Sequence, residues 1–425
     1  MAAPHHGERG DRRAPRRPPP GPRAPMSRPG TRLRTALAAT DDDRLLLDLT
    51  GIEESYDALE RELPGIHVRF AMKACPADEV LTRLARRGAG VDAASPREIT
   101  QALAAGVPPA RIHYGNTVKS DRDIAHAHRL GITDYATDST EDVAALAAHA
   151  PGARVFCRLA TDGDGALWGL TGKNGCSADD AVHILETARH TGLTPAGLSV
   201  HVGSQQMTAD AWRTALDRLG TVLAALRRRG ITLDHLNLGG GLPALGYRDR
   251  DGRDLDPPLD KIFAVLREGM RRLADDAGHP LDFRIEPGRH LVADHGAIRA
   301  HVSRLAVRRA PDGTPRPWLY LSCGKFNGLY EMDAVQYRLV FPTRPGSRTV
   351  PAVVAGPTCD SDDAFSPDHL VPVPTDAASG DPVWILSSGA YALSYMTREF
   401  NGFAPLPYSC VTDDGATASR KASGR

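Results

Sequence analysis

Residues 66–93 have the sequence IHVRFAMKACPADEVLTRLARRGAGVDA, which contains one strand–helix–strand pattern. The runs Ile66 to Met72 and Gly90 to Ala93 are short and mostly apolar, as expected for strands buried in a sheet. Between them, Ala77 to Arg87 carries alanine, valine and leucine at helical spacing. Two strands joined through a helix run parallel, so this stretch predicts a parallel sheet covered by helices.

The same alternation recurs along the chain and predicts eight strands. They are Ile66 to Met72, Gly90 to Ala93, Arg111 to Tyr114, Thr133 to Ala136, Arg154 to Leu159, Ala196 to Val202, Leu233 to Leu238 and Leu281 to Ile285. Helical stretches such as Pro96 to Ala105 and Ala209 to Arg229 separate them. Eight successive units predict an α/β fold, a (β/α)8 barrel. An open, doubly wound sheet is the alternative, but it would need one strand too many on each side of a switch point.

The pattern changes after about Asp294. From Gly296 onward, strand-like runs such as Ala297 to Val307 and Trp318 to Ser322 follow one another without long helical stretches between them. A mostly β domain, a barrel or a sandwich, is therefore expected at 296–411, after a barrel at 41–295. The early run Arg44 to Leu49 is expected to join this β domain. Residues 1–40, rich in arginine and proline, and residues 412–425 are expected to be disordered.

Composition limits the classes of partner. The chain has 425 residues with 52 basic and 52 acidic side chains, so its charge gives no reason to expect nucleic acid or a membrane surface as partner. No stretch resembles a signal peptide or a membrane span, which predicts a cytoplasmic protein. The six cysteines form no C-x-x-C pair, and no metal site is expected.

Polar residues follow the predicted strands, where the active site of a barrel lies. They are Lys73, Asp92, Asn116, Thr137, Arg158, His201, Gly239 to Gly241, and Glu286 with Arg289. Lys73 is one of only six lysines in the chain and comes directly after an apolar strand. We expect its amine to be partly desolvated, with a lowered pKa, and therefore to be a nucleophile suited to a Schiff base.

Loops after the seventh and eighth strands of a barrel commonly bind phosphate. Here they carry Gly239, Gly240 and Gly241, and then Arg289. The glycines lack the lysine and hydroxyl residues of a P-loop, so a nucleoside triphosphate is not expected. An imine-forming lysine with a small phosphate site indicates pyridoxal 5'-phosphate. Glu286 is placed to pair with the ring nitrogen of this cofactor, and His201 to stack on its ring.

These residues resemble the fold-type III pyridoxal-phosphate decarboxylases that act on ornithine, lysine and diaminopimelate. The resemblance covers roughly Asp42 to Pro407, and the motif at Tyr114 to Lys119 is similar to the bacterial ornithine/lysine branch. The other motifs occur in the order of the family: FAMKA at 70–74, DAAS at 92–95 with Glu98, HVGS at 201–204, GGG at 239–241, EPGR at 286–289, GPTCDS at 356–361, GAY at 389–391 and FNGF at 400–403.

The resemblance implies a role for each matching residue. Lys73 would carry the cofactor, Glu286 would pair with its ring nitrogen, and His201 would stack on the ring. Asp92 and Arg158 would line the pocket. The phosphate would be held by Ser204, Gly240, Arg289 and Tyr391, together with the glycine loop. Two departures from the family concern substrate placement: Cys75 replaces the usual asparagine, and Ser322-Cys323 precedes Gly324 where an aspartate is common.

The resemblance also implies a head-to-tail homodimer, in which Cys359 and Asp360 of one subunit complete the site of the other. By itself, the segment 359–363 fits a solvated acidic loop or a weak calcium loop. In a decarboxylase, a carboxylate there can hold a substrate ammonium and the Cys359 thiol can return a proton to carbon. Asp333 is the second carboxylate expected to bind substrate.

The expected reaction converts L-ornithine to putrescine and carbon dioxide, a step of polyamine biosynthesis, with lysine as the second substrate. Diaminopimelate decarboxylase, or another amino-acid decarboxylase of the same family, is the alternative. An alanine-racemase-like enzyme is disfavoured, because such enzymes pair the ring nitrogen with arginine and Glu286 stands here instead. A non-catalytic regulator related to these decarboxylases is a further alternative. It usually loses the lysine or the thiol, and both are present here.

Overall fold

The computed structural model describes residues 30–413 and 418–420. The α-helices of this part are α1 (Thr31–Ala38), α2 (Leu49–Glu62), α3 (Asp78–Arg86), α4 (Pro96–Ala104), α5 (Asp121–Arg129), α6 (Thr140–His149), α7 (Ala178–His190), α8 (Asp210–Arg228), α9 (Leu259–Ala277) and α10 (Arg289–Val292). Helices α4 to α7 begin after Ser95, Ser120, Ser139 and Ser177, whose hydroxyls each accept a backbone N–H of the first turn. These caps satisfy donors that a helix start leaves unpaired, so the serines fix where the four helices begin.

The first half of the chain forms a closed barrel. The strands in this part of the chain are β1 (Arg44–Asp48), β2 (Ile66–Ala71), β3 (Gly90–Ala93), β4 (Ile112–Tyr114), β5 (Asp134–Thr137), β6 (Arg154–Arg158), β7 (Ala166–Trp168), β8 (Thr194–Ser199), β9 (Ser204–Gln206), β10 (His235–Asn237) and β11 (Asp282–Ile285). Eight of them close in the order β10-β11-β2-β3-β4-β5-β6-β8. Each of the eight predicted runs supplies one barrel strand, so the (β/α)8 prediction is confirmed and the open sheet is wrong.

The inside of the barrel is polar, whereas its outer face is apolar. Phe70 and Val91 are buried in the large apolar core, and their neighbours Arg69 and Gly90 are the alternate residues of the same strands. Glycines make room for the large inner side chains: a Cβ on Gly90 would lie 2.1 Å from Arg69 Nη1, and one on Gly197 would lie 2.4 Å from His235 Nε2. The barrel is therefore filled by charged and aromatic side chains that need partners inside it.

A second sheet follows the barrel. Its remaining strands are β12 (Gly296–Arg309), β13 (Pro315–Leu321), β14 (Leu339–Val340), β15 (Thr349–Ala355), β16 (Val371–Pro374), β17 (Pro382–Leu386), β18 (Tyr408–Val411) and β19 (Ala418–Arg420). As expected, β1 joins this sheet, where it pairs antiparallel with β12 and parallel with β18. The register of β12 shifts between Val302 and Arg304. The fold is thus a barrel followed by a mixed β domain.

Two expectations about the ends of the chain are wrong in part. Residues 31–38, expected to be disordered, form α1, because Leu33 and Leu37 pack into an apolar cluster with Leu46 and Trp384. Residues 418–420, expected to fray, form β19 by pairing with β18. Within the two predicted disordered ends, residues 1–29, 414–417 and 421–425 lie outside the described residues. Within 30–413 and 418–420, no helix has the length and apolar character needed to cross a bilayer.

Candidate active site

Lys73 lies at the carboxyl end of the barrel, on a short 3₁₀ turn (Met72–Ala74) that follows β2. Met72 and Ala74 are fully buried, and the carbonyl of Ala74 accepts the backbone N–H of Tyr391 at 2.6 Å. Half of the Lys73 side chain remains exposed. The turn is therefore fixed on both sides while the amine between them stays open to the barrel mouth.

The expected lowering of the Lys73 pKa is wrong for this state of the protein. The Asp92 carboxylate lies 3.3 Å from Lys73 Nζ and raises the pKa of the amine above its usual value. Burial acts in the opposite direction but is the weaker of the two effects. The sequence placed Lys73 and Asp92 at neighbouring strand ends, but it did not show how closely the two charges pair. The lysine is an ammonium until something displaces Asp92 or removes its proton.

Asp92, His113 and Glu286 form a buried cluster behind the lysine. His113 Nε2 lies 3.2 Å from Asp92 Oδ1 and 3.0 Å from Glu286 Oε1, although neither contact has hydrogen-bond alignment. Asn237 donates its side-chain N–H to the same Glu286 oxygen at 2.5 Å. Burial would raise the pKa of Asp92, but Lys73 and His113 hold it well below its usual range. The cluster therefore keeps Asp92 ionised.

The same three side chains are the one group within the described residues whose ligand atoms are spaced for a metal ion. Lys73 already contacts one oxygen of Asp92, and Asn237 binds the Glu286 oxygen that faces His113. Both carboxylates thus have cationic or donor partners from the protein itself.

His201 follows β8, over the glycine loop after β10. A Cβ on Gly240 would lie 3.1 Å from the His201 ring, and one on Gly239 would lie 1.8 Å from the Val200 carbonyl oxygen. Gly239 also has a φ of +66°, which disfavours any other residue there. Burial, helped by the charge of Arg158, lowers the pKa of His201 to about 3. Its imidazole is neutral near pH 7, which suits stacking on a ring and does not suit proton transfer.

Arg289 belongs to a closed polar network. Its guanidinium makes a two-pronged contact with Glu331, at 2.5 and 2.6 Å, and donates to Ser204 Oγ at 3.1 Å and to the Tyr247 hydroxyl at 2.9 Å. The Tyr391 ring lies over the same guanidinium, with 4.8 Å between the ring centroid and Cζ. Arg289, Ser204 and Tyr391, which the resemblance implies for the phosphate, are therefore neighbours. The charge of Arg289 is already balanced by Glu331, which the sequence did not indicate.

The three residues expected to act on substrate lie on loops of the β domain. Cys359 is exposed, and its backbone N–H and thiol both contact Asn401 Oδ1, at 2.9 and 3.2 Å. Asp360 is exposed as well. Asp333 contacts Lys325 Nζ at 2.6 Å, so its carboxylate is not free as expected. None of these contacts places Cys359 or Asp360 in the mouth of its own barrel.

A row of stacked tyrosines runs from the barrel mouth towards Asp333. The ring centroids of Tyr391 and Tyr395 are 5.7 Å apart, and those of Tyr395 and Tyr330 are 4.2 Å apart. Tyr330 begins the 3₁₀ turn that ends at Asp333. Tyr330 and Tyr395 are both partly exposed. The row therefore connects Tyr391, which lies near Lys73, with the turn that carries Asp333.

Several residues of the site were missed in the sequence, above all His113, Asn237 and Glu331. His113 and Asn237 are each a polar residue between two apolar ones in a short barrel strand, in IHY and LNL respectively. That alternation places them inside the barrel and could have revealed both. Glu331 gives no such signal, because only the folded chain brings it to Arg289.

The residues present fit pyridoxal phosphate: an amine for covalent attachment, a carboxylate facing the barrel interior, and a glycine loop beside hydroxyl and guanidinium donors. Comparison with known proteins supports this class of enzyme. The chain belongs to the pyridoxal-dependent decarboxylases, because the model of the family's pyridoxal binding domain matches residues 49–293. The cofactor is therefore pyridoxal phosphate.

Relatives extend the match over most of the chain. A lysine/ornithine decarboxylase of Selenomonas ruminantium is 29% identical over 379 residues, covering 88% of this chain and 91% of the relative. A diaminopimelate decarboxylase of Zymomonas mobilis is 29% identical over 374 residues, covering 83% and 82%. A lysine/ornithine decarboxylase from Vibrio vulnificus, solved with putrescine, matches with a TM-score of 0.76 and 26% identity over 90% of this chain and 98% of that chain. Because two kinds of decarboxylase are equally similar, identity does not choose the substrate.

Proposed function

We propose that this protein decarboxylates a basic L-amino acid, with ornithine as first substrate, yielding putrescine, and lysine as second. The observation that carries the proposal is the pairing of Lys73 with Asp92 beside the carboxyl group of Glu286 at the mouth of the barrel. Bound pyridoxal phosphate supplies a protonated ring that accepts the electron pair left when carbon dioxide departs. The protein must then hold that ring, keep it protonated and return a proton to carbon.

Glu286 is proposed to keep the ring nitrogen protonated. One of its oxygens is bound by Asn237 at 2.5 Å, which fixes the carboxylate and leaves the other oxygen for the ring. A carboxylate at this place favours decarboxylation over racemisation, because a protonated ring stabilises the negative charge on carbon. The racemase-like alternative would need an arginine there.

Lys73 is proposed to hold the cofactor, and His201 and Arg158 to flank it. The phosphate is assigned to Ser204, Arg289, Tyr391 and the loop Gly239 to Gly241. The neutral His201 imidazole could stack on the ring without placing a positive charge against it. Its low pKa also removes His201 as the source of the proton that carbon receives.

The proton donor is proposed to be Cys359 of a second copy of the chain, in a cytoplasmic homodimer. The thiol is exposed on its own subunit and held by Asn401. An exposed thiol on the β domain supports donation across an interface rather than into the barrel of the same chain. The presence of both Lys73 and this thiol disfavours a non-catalytic regulator.

The charge of the acidic loops supports a substrate with a distal ammonium. Asp333 and Asp362 flank one cation, Lys325, at 2.6 and 4.0 Å, and the neighbouring Asp360 carboxylate accepts the backbone N–H of Asp362. Three carboxylates against one ammonium leave an excess of negative charge. A second carboxylate, as in diaminopimelate, would be repelled there, whereas ornithine and lysine would be attracted.

The test is carbon dioxide release by the purified holoenzyme from ornithine, lysine, arginine and diaminopimelate. We expect the highest kcat/KM with ornithine and a lower value with lysine, because one methylene is worth only about 1 to 3 kcal/mol in a pocket. Asp360→Ala should raise KM for both, while the exposed Asp312→Ala serves as a control. Faster turnover of diaminopimelate than of ornithine would refute the proposal, and so would a holoenzyme that turns over none of the four amino acids.

A further inference from the structure

His113 is a titratable residue at the centre of the site that none of the assigned roles uses. It is fully buried in the middle of β4, where the neighbouring residues Ile112 and Tyr114 are apolar. Its Nε2 atom faces Asp92 on β3 and Glu286 beyond β11, at 3.2 and 3.0 Å. A single ring atom is thus placed between two carboxylates that come from different strands.

The Asp92 and Glu286 carboxylates lie close together, since their ligand atoms and that of His113 are all within 4.8 Å of one another, and a cation between them offsets their mutual repulsion. Lys73 contacts Asp92 through Oδ2, the oxygen turned away from His113, so the lysine partners one acid of the pair directly. His113 is the side chain that touches both. Burial alone would lower the pKa of His113, but Asp92 and Glu286 outweigh burial and raise it.

The other charged groups near His113 are already paired. Asp134, its neighbour across the β4–β5 ladder, contacts Arg154 at 3.1 Å and Arg284 at 3.7 Å. From β6, the facing side chain is the apolar Phe156, with 5.1 Å between the two rings. The charge of His113 is therefore directed at Asp92 and Glu286.

The Glu286 carboxylate is oriented as well as neutralised. Its Oε1 atom is approached by both Asn237, at 2.5 Å, and His113, at 3.0 Å, while the Asn237 side-chain oxygen is itself fixed by the Gly239 N–H at 2.9 Å. One hydrogen bond and one charge contact at the same oxygen leave Oε2 as the acceptor for a ligand.

We propose that His113 is a positioning residue for the cofactor: its imidazolium, shared by Asp92 and Glu286, keeps both carboxylates charged and leaves Glu286 Oε2 for the ring nitrogen. The inference rests on the proposed role of Glu286. Without the cation, the repulsion between the two carboxylates favours protonation of one of them as the pH falls, and the cofactor loses part of its charged partner.

The test measures the dissociation constant of pyridoxal phosphate by absorbance titration of the apoenzyme at pH 6 and pH 8. His113→Leu removes the charge and the donor, and His113→Gln removes the charge but keeps a donor. We expect both variants to lose affinity between pH 8 and pH 6 by about tenfold relative to the wild type, since one unit of pKa is a tenfold change in protonation. His113→Gln should recover part of the affinity that His113→Leu lacks at pH 8.

His235→Leu is the matched control, because His235 is also buried inside the barrel and its ring lies 5.6 Å from that of Phe156. It should lower the Tm without changing the pH dependence of cofactor affinity. If folded His113→Gln shows the wild-type ratio between the two pH values, the proposal is overturned and His113 serves packing alone. A wild-type protein that binds the cofactor but decarboxylates none of the amino acids would instead refute the proposed function.

Discussion

His113 and His235 both lie close to the Phe156 ring inside one barrel, yet their pKa values are shifted in opposite directions. Their ring centroids lie 5.1 and 5.6 Å from that of Phe156, and both are fully buried. The pKa of His113 is raised, because two carboxylates outweigh its burial. Burial lowers the pKa of His235 to about 4, since Asp234 compensates only in part and the charge of Arg284 adds to the lowering.

The difference separates the two ends of the barrel. At the amino end of the strands, Arg69, Arg154 and Arg284 surround Asp134, so cations outnumber the acid that they share. At the carboxyl end, Lys73 and His113 face the two carboxylates of Asp92 and Glu286, and half of the Lys73 side chain is open to solvent. The closed end is organised for stability, and the open end holds charge that a cofactor and substrate can use.

The largest effects are expected when one carboxylate is neutralised at each end of the barrel. Glu286→Gln should lower kcat by roughly 10²–10³-fold, the range typical for loss of one electrostatic partner in an active site, with little change in Tm. Asp134→Asn should leave kcat almost unchanged but lower the free energy of unfolding by about 3 kcal/mol, because it strands buried arginines. Steady-state kinetics and urea unfolding of both variants give the result. Equal losses of activity in the two would end the distinction between the ends.

A smaller effect tests whether the open end is completed by a second subunit. Lys73→Ala and Cys359→Ala proteins should each be inactive, but mixing them should restore about a quarter of wild-type activity, since half of the dimers are mixed and each holds one intact site of two. Subunit exchange must be verified with a size tag. A mixture as inactive as its parents would show that each chain builds its own site.

The smallest expected effect is in the pH dependence of stability, where the two histidines should act with opposite sign. The raised pKa of His113 contributes stability that is present below its unfolded value, about 6.5, and is lost as pH rises through the folded value. His235, with a folded pKa of about 4, costs stability as pH falls from about 6.5.

Urea unfolding of the apoenzyme measures both effects. His113→Leu should be less destabilising at pH 9 than at pH 6.5. His235→Leu should be less destabilising at pH 5 than at pH 7, by about 2 kcal/mol. At pH 5 the unfolded wild type binds a proton on His235 and the folded wild type does not, so the wild type loses stability that the variant keeps. Parallel pH profiles for the two variants would contradict the opposite assignments.

The residues at the barrel mouth could be predicted from the sequence, whereas those inside the barrel were missed. Strand ends at the mouth were predictable because each strand leaves a polar residue directly after an apolar run, as Lys73 does after Met72. The polar residues inside the barrel were not predicted, although His113 and Asn237 each lie at an inward position of a strand. The helix at 31–38 was hidden by its arginines, yet Leu33 and Leu37 at helical spacing were its signal.

Other features depend on contacts between distant parts of the chain. Glu331 meets Arg289 across 42 positions, and no local pattern predicts that pair. The raised pKa of Lys73 depends on a distance of 3.3 Å to Asp92, which strand order alone does not give. Residue identity therefore located the site, whereas its charge balance required the fold.

We propose that Lys73 carries the cofactor at the open end of the barrel. Reduction of the holoenzyme with borohydride, followed by peptide mapping, tests it most directly. We expect one labelled peptide containing Lys73, and no label in Lys73→Arg, which keeps the charge beside Asp92 but lacks the primary amine. A label on Lys119 or Lys325, or on no peptide of a protein with bound cofactor, would contradict the account.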